Sequence, residues 1–255
     1  MKSVVIFGLA LLTVSNCDNL DADPPKNPKQ KHDSFKLALQ WPYSSCKNPK
    51  LKCRTTIPKQ FTLHGLWPQE NGVELTYCTT HKIPPGTFGS MKDDLMAYWP
   101  NLTTDNFEKS KSFWEYQWLK HGSCSFENLE PIPYFEKAIA LVKANNLLSM
   151  LKKKGIEPLG QTYTVKNIVN AVKAVTSHYP NVKCIVEVKD GKSTSYLEEI
   201  HLCFDDEAKV IRDCPYRFSK CMESQPGSKV RIAKFSSQDD AIFGSINGTA
   251  AAAAP

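Results

Sequence analysis

Apolar residues occupy positions 35, 37, 39 and 41, and Lys, Ala and Gln lie between them. This period of two predicts a half-buried strand over Phe35–Trp41. A second short strand is expected at Phe61–Leu63, where it runs directly into His64. Further strands, joined by turns at 189–192 and 205–207, are expected at Lys183–Val188, Tyr196–Phe204 and Lys209–Arg212.

A period of three to four residues takes over in the middle of the chain and predicts helices. The expected helices are Met91–Trp99, Phe107–His121, Pro133–Lys154 and Val165–His178. Gly155 follows the third helix and Pro180 the fourth, and both residue types end helices. The pattern predicts an α+β fold in which helices pack on an antiparallel sheet.

The two ends of the chain differ in composition from the region between them. Lys2 precedes an apolar run at 4–14 that ends in small and polar residues, which is typical of a secretory signal peptide at 1–17. The alternative, a membrane anchor, would need about 20 apolar residues to cross a bilayer. We expect a polar, proline-rich flexible leader at 18–34, one folded domain at 35–235 and a loose tail at 236–255.

Cysteine usage points to an oxidising compartment. Of nine cysteines, Cys17 lies at the end of the signal region and eight remain in the rest of the chain. An even set on the secretory route predicts four disulfides, but the count leaves about 105 pairings open. Zinc binding is disfavoured because the chain has no Cys-X-X-Cys pair. Asn101-Leu-Thr and Asn247-Gly-Thr are glycosylation acceptors, which agrees with an extracellular protein.

The net charge selects no ligand by itself. The whole chain carries +6, and removal of 1–17 takes away Lys2 and no acid, which leaves +5. A positive excess is compatible with a polyanionic partner, because cationic side chains release phosphate counterions on binding. Many secreted proteins are equally basic and bind nothing acidic.

Two segments carry residues suited to chemistry: Phe61-Thr-Leu-His64-Gly-Leu-Trp67-Pro68 and Phe113-Trp-Glu-Tyr-Gln-Trp-Leu-Lys120-His121-Gly-Ser-Cys124. On a helix the second segment places one arc of side chains together, with Trp114 and Trp118 at its edge: Phe113, Tyr116, Gln117, Lys120, His121 and Cys124. Such a face suits neither solvent nor a core, and it fits a cleft that holds a phosphate and stacks a base. Either histidine alone would more often be structural.

Together the two histidines fit the cleavage of single-stranded RNA. The ribose 2′-hydroxyl lies beside the scissile phosphate, so an enzyme needs a base to remove its proton and an acid to protonate the leaving 5′-oxygen. It also needs a cation to stabilise the five-coordinate phosphorus. Histidine suits both proton transfers because its reference pKa is about 6.5. Lys120 can supply the cation, and we expect no metal or other cofactor.

The segments His64-Gly-Leu-Trp-Pro and Lys120-His-Gly-Ser-Cys resemble the two active-site motifs of the ribonuclease T2 family. Gln40-Trp-Pro and the cysteine layout are similar to that family too, over about residues 35–221. The resemblance implies an α+β fold, a monomer, and cleavage through a 2′,3′-cyclic phosphate. It implies that His121 is the general base, His64 the general acid and Lys120 the group that stabilises the transition state. It also implies that Trp67 and Phe113 lie beside the substrate, and we expect Gln40, Tyr116 and Gln117 to contact the substrate as well. The alternative for Trp67 is a core aromatic residue.

The resemblance also implies a disulfide pairing, which the cysteine count could not select. The implied pairs are Cys46–Cys53, Cys78–Cys124, Cys184–Cys221 and Cys203–Cys214.

The chain departs from the commoner family pattern at Tyr116-Gln117, where many members have His-Glu. Glutamine can hydrogen-bond a phosphate but carries no charge, whereas both histidines and the lysine are retained, so we expect activity. This variation, with the basic charge, is similar to the plant pistil S-ribonucleases of self-incompatibility, whose partners would include pollen proteins.

Three other functions remain open at this point. The first is a housekeeping or defence ribonuclease of the same family. The second is an inactive storage or lectin-like relative, which loss of a catalytic histidine would mark. The third is a metal-dependent nuclease, which would need clustered carboxylates, and the two motifs offer none beyond Glu70 and Glu115. The remaining histidines are expected at the surface or in structural roles: His32, His81, His178 and His201.

Overall fold

The computed structural model describes residues 31–215, 218–219, 221 and 228–235. The expected signal peptide, tail and Asn247, and the leader up to residue 30, lie outside the described residues. The strands are β1 (Ser34–Gln40), β2 (Thr62–Glu70), β3 (Val73–Glu74), β4 (Thr162–Thr164), β5 (Asn181–Lys189), β6 (Lys192–Asp205), β7 (Ile211–Arg212), β8 (Phe218–Ser219) and β9 (Lys229–Arg231). The helices are α1 (Pro42–Ser45), α2 (Thr87–Ser90), α3 (Lys92–Tyr98), α4 (Phe107–Lys120), α5 (Pro131–Ala144), α6 (Leu147–Lys152) and α7 (Val165–Thr176), and a 3₁₀ turn spans Gly122–Ser125.

These strands form one sheet, whose central order is β3-β2-β1-β6-β5-β8. The pairings β1–β2, β1–β6 and β5–β6 are antiparallel, which confirms the predicted α+β class. Two short pairings differ from the prediction, because β8 runs parallel to β5 and β9 runs parallel to β6. The β5–β6 hairpin turns at Asp190 and Gly191, whose φ angles are both positive, as the predicted tight turn requires.

The two faces of β1 separate the core from the candidate site. Phe35, Leu37 and Leu39 are fully buried in the hydrophobic core, which also contains Trp114 of α4 and Phe135 of α5. Burial of each such side chain contributes roughly 1.5–3 kcal/mol. Residues of the opposite face alternate with them and are Lys36, Ala38 and Gln40.

Several predicted boundaries were wrong. The single helix expected at Pro133–Lys154 is two helices, because Asn145 ends α5 and the Asn146 side chain accepts a hydrogen bond from the Ser149 amide to begin α6. Helix α4 ends at Lys120, so His121 is its C-cap rather than part of the helix. Strand β1 begins at Ser34, which the expected flexible leader had included.

Four disulfides join cysteines that the structure describes: Cys46–Cys53, Cys78–Cys124, Cys184–Cys221 and Cys203–Cys214. These are the four pairs that the resemblance implied. The second of them joins the segment after β3 to the 3₁₀ turn that follows His121.

Candidate active site

A β-bulge places His64 on the sheet. The expected strand at Phe61–Leu63 is longer than predicted, and β2 continues through the whole motif to Glu70. Leu63 pairs with Leu39 and Gly65 pairs with Ala38, so His64 is the additional residue between two adjacent pairs. A bulge of this kind bends the strand and redirects a side chain.

Side chains from strand β1, from helix α5 and from the end of helix α3 hold the backbone around this bulge. The indole N–H of Trp99 donates to the His64 carbonyl at 3.0 Å, and the Tyr134 hydroxyl donates to the Leu66 carbonyl at 2.6 Å. Gln40 Nε2 donates to the Leu63 carbonyl at 3.5 Å. A bulge disrupts the regular hydrogen bonds between neighbouring strands. These three donors bind backbone carbonyls around the bulge, so they hold the main chain on both sides of His64.

Trp67 brings the two histidines together. Its ring centroid lies 5.1 Å from that of His64, nearly edge-on, and 5.0 Å from that of His121, at an interplanar angle of 30°. The imidazole of His201 lies 5.9 Å from the same indole. Trp67 itself is 6% exposed, so it is a buried aromatic residue and also the surface against which both imidazoles pack.

Neighbouring side chains lie so close to the glycines of the two motifs that neither position has room for a Cβ atom. A Cβ atom at Gly65 would collide with Trp67 Nε1 and would lie 2.8 Å from Gln117 Oε1. A Cβ atom at Gly122 would lie 2.5 Å from the Trp118 ring and 2.8 Å from that of Tyr134. Both His-Gly pairs therefore let aromatic side chains pack directly against the backbone beside a histidine.

His121 is buried where α4 ends. Only 4% of the residue is exposed, and its backbone N–H donates to the Gln117 carbonyl at 3.0 Å. Burial lowers the pKa of His121 to about 4, and the neighbouring Lys120 ammonium acts in the same direction. The Glu74 carboxylate opposes both effects but is outweighed. His121 is therefore neutral over most of the pH range in which proteins work.

His64 stands beside a buried carboxylate. Its Nδ1 lies 3.0 Å from Oε1 of Glu199, a residue that is 1% exposed. The same carboxylate accepts from Lys183 Nζ at 2.7 Å and contacts His201 Nε2 at 2.6 Å. Burial alone would raise the pKa of Glu199, but His64 and His201 hold it well below its usual range.

A cavity of about 280 Å³ opens next to His64. Gln40 and Phe113, two of the expected substrate-contacting residues, line it together with His64. Asn101, one of the two expected glycosylation acceptors, lines it too, and its Oδ1 accepts from the Thr103 hydroxyl at 2.7 Å.

The remaining expected residues lie in different surroundings. Lys120 Nζ lies 5.6 Å from the ring centroid of Tyr116, which is 46% exposed. The pKa of Tyr116 is lowered by its hydrogen bond with Tyr77, and Lys120 acts in the same direction. Gln117 is instead buried, next to Gly65. The side chains predicted to share one continuous face of α4 are therefore divided, because Gln117 is buried and Tyr116 is exposed.

Several charged residues near the histidines were missed by the sequence analysis. Besides Glu199 and Lys183, an ion pair joins Lys36 to Glu74 at 2.8 Å, and Lys36 Nζ lies 5.9 Å from the Trp67 ring centroid. A signal was present for one pair: Glu199 and His201 stand two residues apart in an apolar strand and so share a face.

Among the residues that the structure describes, no helix is long and apolar enough to span a membrane. The same part of the chain contains no group of three or more His, Cys, Asp or Glu side chains that could hold a metal ion.

Comparison with known proteins gives matches over most of the chain. Residues 32–214 match the sequence model of the Ribonuclease T2 family. Ribonuclease S-2 of Antirrhinum hispanicum is 37% identical over 190 residues, which cover 73% of this chain and 77% of that protein. Ribonuclease 1 of Arabidopsis thaliana is 32% identical over 209 residues, which cover 80% and 87%. The SF11-RNase of Nicotiana alata, a solved structure described as gametophytic self-incompatibility associated, has a TM-score of 0.67 and 30% identity, covering 80% of this chain and all of that one.

Proposed function

The chain belongs to the Ribonuclease T2 family, and we propose that it is a secreted endoribonuclease that cleaves single-stranded RNA through a 2′,3′-cyclic phosphate without a metal ion. The observation that carries this proposal is the packing of His64 and His121 against one indole, that of Trp67. Because one indole holds both imidazoles, one ring can act on the attacking 2′-oxygen and the other on the leaving 5′-oxygen of the same phosphate.

In the proposed first step, His121 accepts the proton of the ribose 2′-hydroxyl. The freed oxygen attacks the phosphorus, and a five-coordinate species forms. A base must be neutral to act, and the depressed pKa of His121, about 4, keeps this imidazole neutral in mildly acidic and neutral solution. Burial of His121 and the charge of Lys120 both favour the neutral imidazole, so they suit a general base rather than a general acid.

His64 completes the reaction as the general acid. Its imidazolium gives a proton to the leaving 5′-oxygen, the phosphorus–oxygen bond breaks, and the products carry a 2′,3′-cyclic phosphate and a 5′-hydroxyl.

Lys120 is proposed to stabilise the negative charge on the five-coordinate phosphorus. It directly precedes His121 in the chain, and its charge is one cause of the low pKa of that histidine. The cavity beside His64, with Gln40 and Phe113 in its wall, has the polar and aromatic lining that suits a nucleobase. Trp67, Tyr116 and Gln117 complete the proposed set of substrate-contacting residues.

Incubation of the purified protein with a dinucleotide in excess EDTA tests the activity. We expect cleavage, and mass spectrometry should identify a product with a 2′,3′-cyclic phosphate end. Intact substrate in every buffer from about pH 4 to 8, a range that brackets the reference histidine pKa, would support the inactive storage or lectin-like relative instead. Cleavage that EDTA abolishes would support a metal-dependent nuclease.

We propose secretion and a self-incompatibility role in the pistil as the biological setting, with pollen proteins as partners. Support comes from relatives that carry S-ribonuclease names, among them Ribonuclease S-2 of Nicotiana alata at 36% identity over 185 residues, which cover 71% of this chain and 81% of that protein. Transcripts should be concentrated in the style, and their sequences should differ strongly between individuals. The mature protein should begin after the signal peptide at 1–17. Uniform expression in leaf or root would favour the housekeeping alternative.

A further inference from the structure

We propose that Glu199 is a positioning residue that holds His64 in the orientation and tautomer needed to protonate the leaving oxygen. The inference rests on the proposed role of His64 as the general acid.

The contact between the two side chains is short and enclosed. Glu199 is 1% exposed, and its Oε1 lies 3.0 Å from Nδ1 of His64. An ionised carboxylate only accepts hydrogen bonds, so Nδ1 of His64 must carry a hydrogen. In the neutral ring the other nitrogen, Nε2, is then the acceptor, and in the imidazolium Nε2–H is the proton available to a substrate.

The carboxylate is itself fixed from three sides. Glu199 pairs with Gln40 of β1 and Lys183 of β5 in the sheet, so its backbone lies between two strands. Lys183 Nζ binds Oε1 at 2.7 Å, and His201 Nε2 lies 2.6 Å from Oε2. A carboxylate held in this way can hold a histidine in one orientation, as carboxylates that bind the far nitrogen of a catalytic histidine do in other active sites.

A purely structural ion cluster is the competing explanation. Lys183 also contacts Glu198, whose Oε2 lies 3.3 Å from its ammonium nitrogen. The titratable groups around His64 and Glu199 are Lys36, Lys183, Glu198, His121 and His201. In a structural cluster, Glu198 and Glu199 would be interchangeable, and neither would affect the acid. In the proposed arrangement Glu199 contacts His64 and Glu198 does not. Replacement of Glu199 must therefore affect the general acid more than replacement of Glu198.

The first test uses the unmodified protein. Long-range ¹H–¹⁵N NMR spectra of ¹⁵N-labelled protein distinguish the two neutral tautomers of each histidine. Neutral His64 should be the Nδ1–H form. Observation of the Nε2–H form would overturn the proposal, whatever the enzyme does to RNA.

The second test compares Glu199→Gln with Glu198→Gln, which alters the neighbouring carboxylate on the same lysine. In Glu199→Gln, kcat should fall about 10- to 10³-fold with little change in KM, because the buried carboxylate orients the acid without touching substrate. The alkaline limb of the kcat/KM profile should move about one pH unit or more downward, since the imidazolium loses its neighbouring charge. Glu198→Gln should leave kcat within about threefold and the alkaline limb within about 0.3 pH units of the original, well below the effect of a lost contact charge. Because Glu198 also lines the cavity beside His64, this comparison uses kcat and the limb and not KM.

The outcomes distinguish a failure of the positioning role of Glu199 from a failure of the proposed ribonuclease function. A folded Glu199→Gln protein with unchanged kcat and pH profile would overturn the positioning role, even if the original protein cleaves RNA. If Glu199→Gln does not fold, the tautomer of His64 decides. If the original protein does not cleave RNA, the proposed function fails, and the same NMR measurement still supports or contradicts the contact that positions His64.

Discussion

The indole of Trp67 lies 5.0 Å from the imidazole of His121, centroid to centroid, with the two rings inclined at 30°. Both rings are almost completely buried, so neither can move without the other. The position of His121 therefore depends on the position of Trp67, which in turn depends on the absence of a side chain at Gly65.

Gly65→Ala should disturb this packing. The new Cβ atom would collide with Trp67 Nε1, and its displacement costs about 1–3 kcal/mol of stability. We expect kcat to fall by up to about 10²-fold, since small misplacements of reacting groups have effects of this size. Gly89→Ala is the matched control, because a Cβ atom there meets nothing within 4 Å. Equal kcat values for the two alanine variants would show that Trp67 does not position His121.

Gln117→Glu should move the acidic limb of the kcat/KM profile. The unmodified enzyme should stay active down to about pH 4, where His121 becomes protonated. A carboxylate one helical turn before His121 favours the imidazolium and raises its pKa, so the limb should shift upward, by about one unit or more. The measurement is a pair of pH–rate profiles on a dinucleotide at fixed ionic strength, because phosphate binding depends on salt.

Glu115→Gln serves as the control for that experiment. It changes one charge on the same helix, but Glu115 is exposed, so solvent screens its charge. No shift of the acidic limb is expected for this variant. If Gln117→Glu also leaves the limb in place while folding normally, then His121 is not the base or residue 117 is not coupled to it.

The Cys78–Cys124 disulfide should stabilise the domain more than the Cys46–Cys53 disulfide. The first closes a loop with a sequence separation of 46 and the second one of 7. Loop entropy then predicts losses of about 4 and about 2.4 kcal/mol when each pair is replaced by alanine. Urea unfolding measures both. The longer bridge also holds the turn after His121, so its removal alone should lower kcat. Equal effects of the two replacements on kcat would contradict this role.

Much of the fold was accessible from sequence because local patterns set it. The alternation at 35–41 gave β1 nearly to the residue, and the Asp190-Gly191 turn gave the β5–β6 hairpin. The break between α5 and α6 also has a local cause, two adjacent asparagines that cap in opposite directions. A periodic apolar stripe continues across such a break and conceals it.

The site was only partly accessible, because strand partners determine it. The motif at 61–68 looked like a strand that ends at His64, since a bulge is visible only when Leu39 and Ala38 are known as neighbours. Lys36 and Glu74 lie 38 residues apart in the chain, and nothing local joins them. Glu199 and His201 could have been noticed as ionisable residues on one face of an apolar strand, but not assigned to His64.

The most direct measurement of the account is the steady-state cleavage of a dinucleotide in EDTA by three alanine variants. His64→Ala and His121→Ala should each lower kcat by roughly 10² to 10⁴, the usual contribution of a positioned acid or base. His178→Ala should change it little, because His178 contacts Asp213 at 3.3 Å on the exposed surface. Full activity in either of the first two variants, or equal losses in all three, would contradict a mechanism that depends on His64 and His121.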